Sequence, residues 1–77
     1  MPERWNKGAV EAVLFGLGYY LAEDKDGLCW YTRNFYPGYD LVLDFSLGWM
    51  EWQDIENQLD FYDIPASPIH DALQAQA

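Results

Sequence analysis

Lys, Arg, His and Cys are scarce in this 77-residue sequence, and the Lys and Arg residues are unevenly placed. The chain has four Lys and Arg residues, one His and one Cys. A single cysteine excludes an internal disulfide and a cysteine-based metal cluster. The last cationic residue is Arg33, so residues 34–77 have no Lys or Arg to contact phosphate groups. This absence disfavours direct binding to nucleic acids and to anionic membrane surfaces.

Long apolar runs and catalytic motifs are also missing. The run from Ala12 to Phe15 is far too short for a membrane span, and the first residues do not resemble a signal peptide. We therefore expect a cytoplasmic protein, located in the host cytoplasm if a phage encodes it. No nucleophile-elbow, Walker, dinucleotide-binding or EF-hand pattern occurs. These absences predict a non-enzymatic protein without catalytic residues, cofactor or metal.

Two enzymatic alternatives are weaker. Cys29 and His70 could form a nucleophilic pair only if the C-terminal segment folded onto the sheet, and no oxyanion hole is evident. We expect Cys29 to be a small buried apolar residue and His70 to lie at the surface. Carboxylates on the outside of a helix could act as acids, bases or cation ligands only in a cleft or a converging loop.

Apolar and acidic residues, by contrast, are abundant. Apolar residues make up 51% of the chain and aromatic residues 18%, which is enough for a core in one small domain. The formal net charge is −9, of which −1 falls in residues 1–33 and −8 in residues 34–77. Such a charge either keeps the protein soluble or forms an anionic field that attracts a basic partner.

The clearest pattern lies between residues 40 and 63. Leu41, Leu43 and Phe45 alternate with polar or smaller residues and predict a strand, 41–45, with one apolar face. A helix is predicted next, with Ser46 or Gly48 as its N-cap and an end near Asp63, before Pro65. Its apolar residues fall on one face and are Trp52, Ile55, Leu59 and Tyr62.

The remaining segments predict a helix, two strands and a turn. A helix is expected from Pro2 to Phe15, ended by Gly16 and Gly18, with a buried stripe formed by Trp5, Ala9, Ala12, Val13 and Leu17. Strands are predicted at 19–23 and 28–35, joined by a hairpin turn at Asp24–Gly27. The segment 34–39, centred on Pro37-Gly38, predicts the turn into the third strand.

These elements predict an α+β fold in one domain of residues 1–77. The order is α-β-β-β-α, with a three-stranded antiparallel sheet and two helices on one face, followed by a short helix from Pro68 to about Gln74. Residues 1–64 would form the core, and 65–77 the short helix and a frayed tail. The topology of residues 3–63 resembles that of double-stranded-RNA-binding domains and HicA-type toxins. Their basic helix N-terminus and strand histidine are absent, so the resemblance implies no function.

The acidic and aromatic residues of the second half are the candidate partner-binding site. The acids are Asp40, Asp44, Glu51, Asp54, Glu56, Asp60 and Asp63, and the aromatic residues are Tyr36, Tyr39 and Trp49. On a helical wheel, Glu56, Asp60 and Asp63 form one row and Glu51 and Asp54 another. Aromatic rings that act as anchors, with carboxylates at the rim, are typical of a protein–protein interface.

In character, the chain resembles the small acidic nucleic-acid mimics of phages, such as anti-CRISPR and anti-restriction proteins. This resemblance implies an inhibitor whose carboxylates occupy the phosphate sites of a basic nucleic-acid-binding enzyme or complex. Two alternatives remain open. One is an immunity-type, antitoxin-type or adaptor protein that binds one basic partner by shape. The other is a homodimeric structural module that uses the 34–39 turn and Trp49.

Overall fold

The structure, a computed structural model, describes residues 2–33 and 39–76. Within these ranges the chain forms five strands and three helices. In chain order they are β1 (Arg4–Asn6), α1 (Lys7–Gly16), β2 (Tyr20–Lys25), β3 (Leu28–Thr32), β4 (Leu41–Asp44), β5 (Trp49–Glu51), α2 (Trp52–Phe61) and α3 (Ala66–Gln76). The fold is therefore α+β, as the sequence predicts. No helix in these ranges is both long enough and apolar enough to cross a membrane.

The main sheet is three-stranded and antiparallel, in the order β2-β3-β4, which confirms the predicted meander. Asp26 and Gly27 both have positive φ angles, 55° and 86°, at the β2–β3 turn. This is the conformation that an Asp-Gly hairpin turn requires. In β3 and β4, the side chains that point to the core are Cys29, Tyr31, Leu41 and Leu43, each with no exposed surface.

One apolar cluster joins this sheet face to all three helices. Ile55 and Leu59 of α2 are buried in it, as the predicted stripe requires, and Trp52 and Tyr62 pack at its margin. Ile69 and Leu73 of α3 belong to the same cluster. The C-terminal helix is therefore part of the core rather than an addition to it.

A second, two-stranded sheet was not predicted. In it β1 pairs antiparallel with β5, and Trp5 lies opposite Met50. The predicted helix from Pro2 is wrong, because the chain is extended up to Asn6 and α1 begins at Lys7. Asn6 is the N-cap of α1, and its side-chain oxygen accepts a hydrogen bond from the Ala9 amide at 2.8 Å.

The start predicted for the second helix is also wrong. Ser46 lies in a turn, where the Gly48 amide donates to the Phe45 carbonyl at 2.8 Å, and β5 separates this turn from the helix. Glu51 occupies the N-cap position of α2 without a capping hydrogen bond from its side chain. The Trp52 amide instead donates to the Glu3 carbonyl at 2.8 Å, so the residue that precedes β1 satisfies one free amide of the first turn of α2.

The late start of α1 changes its buried face. Val10, Val13 and Leu14 are buried, whereas Ala12 and Leu17, which were predicted in the stripe, are exposed. The predicted end is confirmed at Gly18, which has a φ of 94° and follows the helix.

The C-terminal helix is longer than predicted. It begins at Ala66, before Ser67 and Pro68, and continues to Gln76. The Gln76 side chain donates to the Ala9 carbonyl at 3.3 Å, which holds the end of α3 against α1. The helix therefore extends through residues that were expected to fray.

Some predictions lie outside the described residues. They are the turn at Pro37-Gly38, the predicted extension of the second strand through residues 34 and 35, and the candidate anchor Tyr36.

Candidate functional site

A groove of about 600 Å³ lies between the β4–β5 turn and α2. Three predicted acids, Asp44, Glu51 and Asp54, line it, and so does Trp49. The sequence pattern predicts these acids on a strand and a helix, but it does not indicate that they line the same groove. The pairing of β1 with β5 brings them together, because it holds Trp49 and Glu51 in an extended segment just before α2. We call this the acidic groove.

Two of the predicted acids have local structural roles. Asp44 accepts a hydrogen bond from the Ser46 amide at 2.9 Å, and the amide and hydroxyl of Ser46 lower the pKa of the Asp44 carboxyl below its ordinary value. Asp40 accepts bonds from the Arg33 amide at 2.7 Å and from the Thr32 hydroxyl at 3.2 Å. Asp44 therefore shapes the turn that follows β4, and Asp40 connects the start of β4 to the end of β3.

The other five predicted acids are free of such contacts. Within residues 2–33 and 39–76, their carboxylates make no hydrogen bond and no ion pair; they are Glu51, Asp54, Glu56, Asp60 and Asp63. Asp54 and Glu51 face the acidic groove, while Glu56 and Asp60 lie on the other flank of α2. Asp54 and the pair Glu56 and Asp60 thus lie on two flanks of α2 as predicted. Glu51 belongs to β5, and Asp63, with a φ of 58°, lies beyond the end of the helix, so neither is part of a helical row.

Three of the four Lys and Arg side chains have partners outside α2. Lys7 forms an ion pair with Asp24, and this bond raises the pKa of the Lys7 ammonium. Arg4 lies over the Trp49 ring at 4.2 Å, and Arg33 lies over the Tyr19 ring at 5.5 Å. No cation in the described residues contacts the carboxylates of α2, so the helix presents an uncompensated anionic surface.

The predicted aromatic anchors have different environments. Trp49 is half-buried and partly covered by Arg4. Tyr39 is 52% exposed, and its ring lies 6.3 Å from the ring of Tyr62 in an edge-to-face arrangement. Phe61 is 75% exposed and contacts Tyr62 edge-to-face at 4.9 Å. Phe61 is not among the residues of the predicted buried stripe, and the sequence did not indicate that the three rings meet.

The residues considered for nucleophilic chemistry are separate. Cys29 is buried, and its thiol contacts the Gly27 carbonyl at 3.7 Å. Burial raises the pKa of this thiol, which disfavours the reactive thiolate. None of its contacts involves His70.

His70 belongs to a different cluster, which sequence analysis missed. Its Nε2 atom lies 2.8 Å from the Glu3 carboxylate, and its ring stacks on Trp52 with centroids 4.3 Å apart. Glu3 also accepts a hydrogen bond from the Trp5 indole at 2.6 Å. Of this cluster, the sequence pattern indicated only Trp52, by its helical spacing. It gave no sign that Glu3, which is remote in sequence, contacts His70. This cluster attaches α3 to β1 and α2, and it has a structural role.

Tyr31 and Glu11 form a further polar pair within the core. The Tyr31 hydroxyl donates to the Glu11 carboxylate at 2.8 Å. Burial, and to a smaller extent this bond, raise the pKa of Tyr31.

In the described residues, no group of three or more His, Cys, Asp or Glu side chains could hold a metal ion. The carboxylates of the acidic groove thus offer separate negative charges rather than a coordination site.

Comparison of this chain with known protein families, with curated protein sequences and with solved structures finds no match.

Proposed function

We propose that this protein is a non-enzymatic inhibitor that binds a basic, nucleic-acid-binding protein through the carboxylates of α2 and the acidic groove. The observation that carries the proposal is a set of five carboxylates that make no ion pair or hydrogen bond within residues 2–33 and 39–76, three of them on α2. A surface of one sign attracts a partner of the opposite sign and orients it on approach.

Three of these charges, those of Glu56, Asp60 and Asp63, are placed unfavourably for the helix itself, whereas Asp54 lies in its first turn, where the dipole favours a carboxylate. Glu56 and Asp60 are four residues apart, where like charges destabilise a helix by about 0.2–0.5 kcal/mol. Asp60 and Asp63 lie at the C-terminal end of α2, where the helix dipole disfavours negative charge. Glu56, Asp60 and Asp63 therefore do not stabilise the helix. A basic partner that relieves the repulsion between these three carboxylates gives a physical reason for their positions.

The proposal is tested with two variants of equal charge. E56K/D60K reverses two acids of α2, and the control E23K/D71K reverses exposed acids on β2 and α3. Both variants have a formal net charge of −5, since each reversal adds two positive charges to −9. Asp63 is left unchanged because its φ of 58° would strain most other side chains.

Tagged wild type and both variants are used to capture proteins from a lysate of the host cell. We expect wild type and E23K/D71K to retain the same basic nucleic-acid-binding protein, and E56K/D60K to lose it. Added DNA or RNA and moderate salt should displace that protein, since all three compete for the same cationic surface. Retention by E56K/D60K would refute the proposal.

The second candidate function is a dedicated adaptor or immunity-type protein that binds one basic partner by shape. The acidic groove favours it, because a concavity that contains Trp49 and Leu47 can enclose a specific side chain. A partner that α2 charge reversal removes, but that nucleic acid does not displace, would identify this function.

A further inference from the structure

A group of aromatic rings at the C-terminal end of α2 is only partly explained by core packing, because Tyr62 packs at the margin of the core while Phe61 and Tyr39 are exposed. It consists of Tyr39, Phe61 and Tyr62, and we call it the aromatic corner. Phe61 is 75% exposed, the largest exposed fraction among the large apolar side chains of the described residues. Monomeric proteins rarely expose several contiguous rings unless the rings contact a partner.

Several carboxylates adjoin the residues of the aromatic corner in the chain. Asp60 and Asp63 flank Phe61 and Tyr62 in the chain, and Asp40 follows Tyr39. Asp54 precedes Phe61 by about two helical turns and lies on the same face of α2. Asp54 therefore places one carboxylate of the acidic groove on the face of α2 that also holds Phe61.

The chain itself shows which cation suits such rings. Arg4 covers Trp49 at 4.2 Å, and Arg33 covers Tyr19 at 5.5 Å. No equivalent cation covers Tyr39 or Phe61 in the described residues. A guanidinium group can stack on an aromatic face and pair with a carboxylate in a bidentate manner, whereas a lysine ammonium is a strongly hydrated point charge.

We propose that the aromatic corner receives an arginine side chain of the basic protein partner, which stacks on Phe61 and is attracted by the carboxylates of α2. The inference rests on the proposed function and specifies the chemistry of its contact. A second copy of this chain does not fit the corner, because a self-complementary contact would place Asp60 and Asp63 of one copy against the same acids of the other.

The probes are two capped peptides, tetra-arginine and tetra-lysine, which carry the same charge. Each is titrated into the isotope-labelled protein, and NMR shifts report both the affinity and the residues affected. We expect tetra-arginine to bind about two- to fivefold more tightly than tetra-lysine, the factor that an exposed cation–π contact provides. The shifts should centre on Phe61, Tyr62 and Asp60.

F61A should remove this preference by lowering the affinity for tetra-arginine to that for tetra-lysine. The matched control is L47A, because Leu47 is 69% exposed but lines the groove near β5. It should leave the preference unchanged. Both side chains are largely outside the core, so neither truncation removes core packing.

The outcomes separate this inference from the proposed function. Equal affinity for the two peptides, with loss of both in E56K/D60K, would overturn the arginine contact and leave the proposed function intact. Peptide binding that does not depend on Glu56 and Asp60 would overturn both. Concentration-dependent shifts at Phe61 without peptide would show self-association and would overturn the arginine contact.

Discussion

Gly27 connects two turns that are distant in sequence, and no larger residue fits its position. It has a φ of 86°, and a Cβ atom there would lie 2.4 Å from the Cα atom of Ser46. Its carbonyl accepts a hydrogen bond from the Phe45 amide at 2.7 Å. This close contact holds the β4–β5 turn, and with it one wall of the acidic groove, against the β2–β3 hairpin.

G27A should therefore destabilise the protein by about 3 kcal/mol or more, because a left-handed conformation and a backbone clash both oppose the added methyl group. The matched control is G48A. Gly48 has a φ of 83° but no atom within 4 Å of a Cβ, so only the conformational cost of about 1–2 kcal/mol applies. Urea denaturation measures both values. Equal losses would show that the Ser46 turn moves freely to accommodate the methyl group.

At the scale of elements, the β4–β5 connection depends on the ionisation of Asp44. The Ser46 amide and hydroxyl lower the pKa of Asp44, so the carboxylate form is favoured in the folded protein. By linkage, this contribution to stability is present above the unfolded pKa of about 3.9 and is lost as the pH falls through the lower folded value.

D44N keeps an oxygen that can accept the Ser46 hydrogen bond, but it does not titrate. Wild type should be more stable than D44N at pH 7 and should approach it near pH 2, as followed by denaturant unfolding. D44A removes the acceptor and should be less stable than D44N by about 1 kcal/mol at both pH values. A difference between wild type and D44N that does not change with pH would contradict this account.

The elements that the sequence predicted are those defined by local periodicity. The alternation of Leu41, Leu43 and Phe45 and the spacing of Ile55 and Leu59 correspond directly to one buried face, and Asp26-Gly27 encodes its own turn. β1 and β5 have no such signal, because each has three residues and their pairing is non-local. The spacing of Trp5 and Ala9 also fits a helix, which concealed the extended start of the chain.

The sequence predicted which types of residue form the candidate site, but not which of these residues lie close together. Acidic residues and off-stripe aromatic residues such as Phe61 are visible in the sequence. The convergence of Asp44 with Asp54, and of Tyr39 with Tyr62, depends on contacts between separate elements. The same applies to the His70–Glu3 pair, whose members are 67 positions apart.

At the scale of the whole molecule, the net charge of −9 is a source of self-repulsion that salt can screen. The Debye length falls from about 10 Å at 0.1 M to about 3 Å at 1 M salt. The free energy of unfolding should therefore increase with NaCl concentration, while the affinity for a basic partner should decrease.

A thermal melt in 50 mM and 500 mM NaCl measures the effect on stability. Relief of about 1 kcal/mol of repulsion would raise the melting temperature by about 4–8 °C in a domain of this size. E23K/D71K, with a net charge of −5, should show a smaller increase. A melting temperature that is insensitive to salt would mean that the surface charges are balanced locally, and it would weaken the case for an anionic field.

The position of Glu3 has a consequence for how the chain folds as it is synthesised. β1 pairs with β5, and the Glu3 carbonyl bonds to the Trp52 amide, so β1 has no partner until residues 49–52 have left the ribosome. At about 5–20 residues per second, the strand that carries Trp5 waits for about 2–10 s. The β2–β3 hairpin can form during that interval, and the first residues to emerge are among the last to be fixed in place.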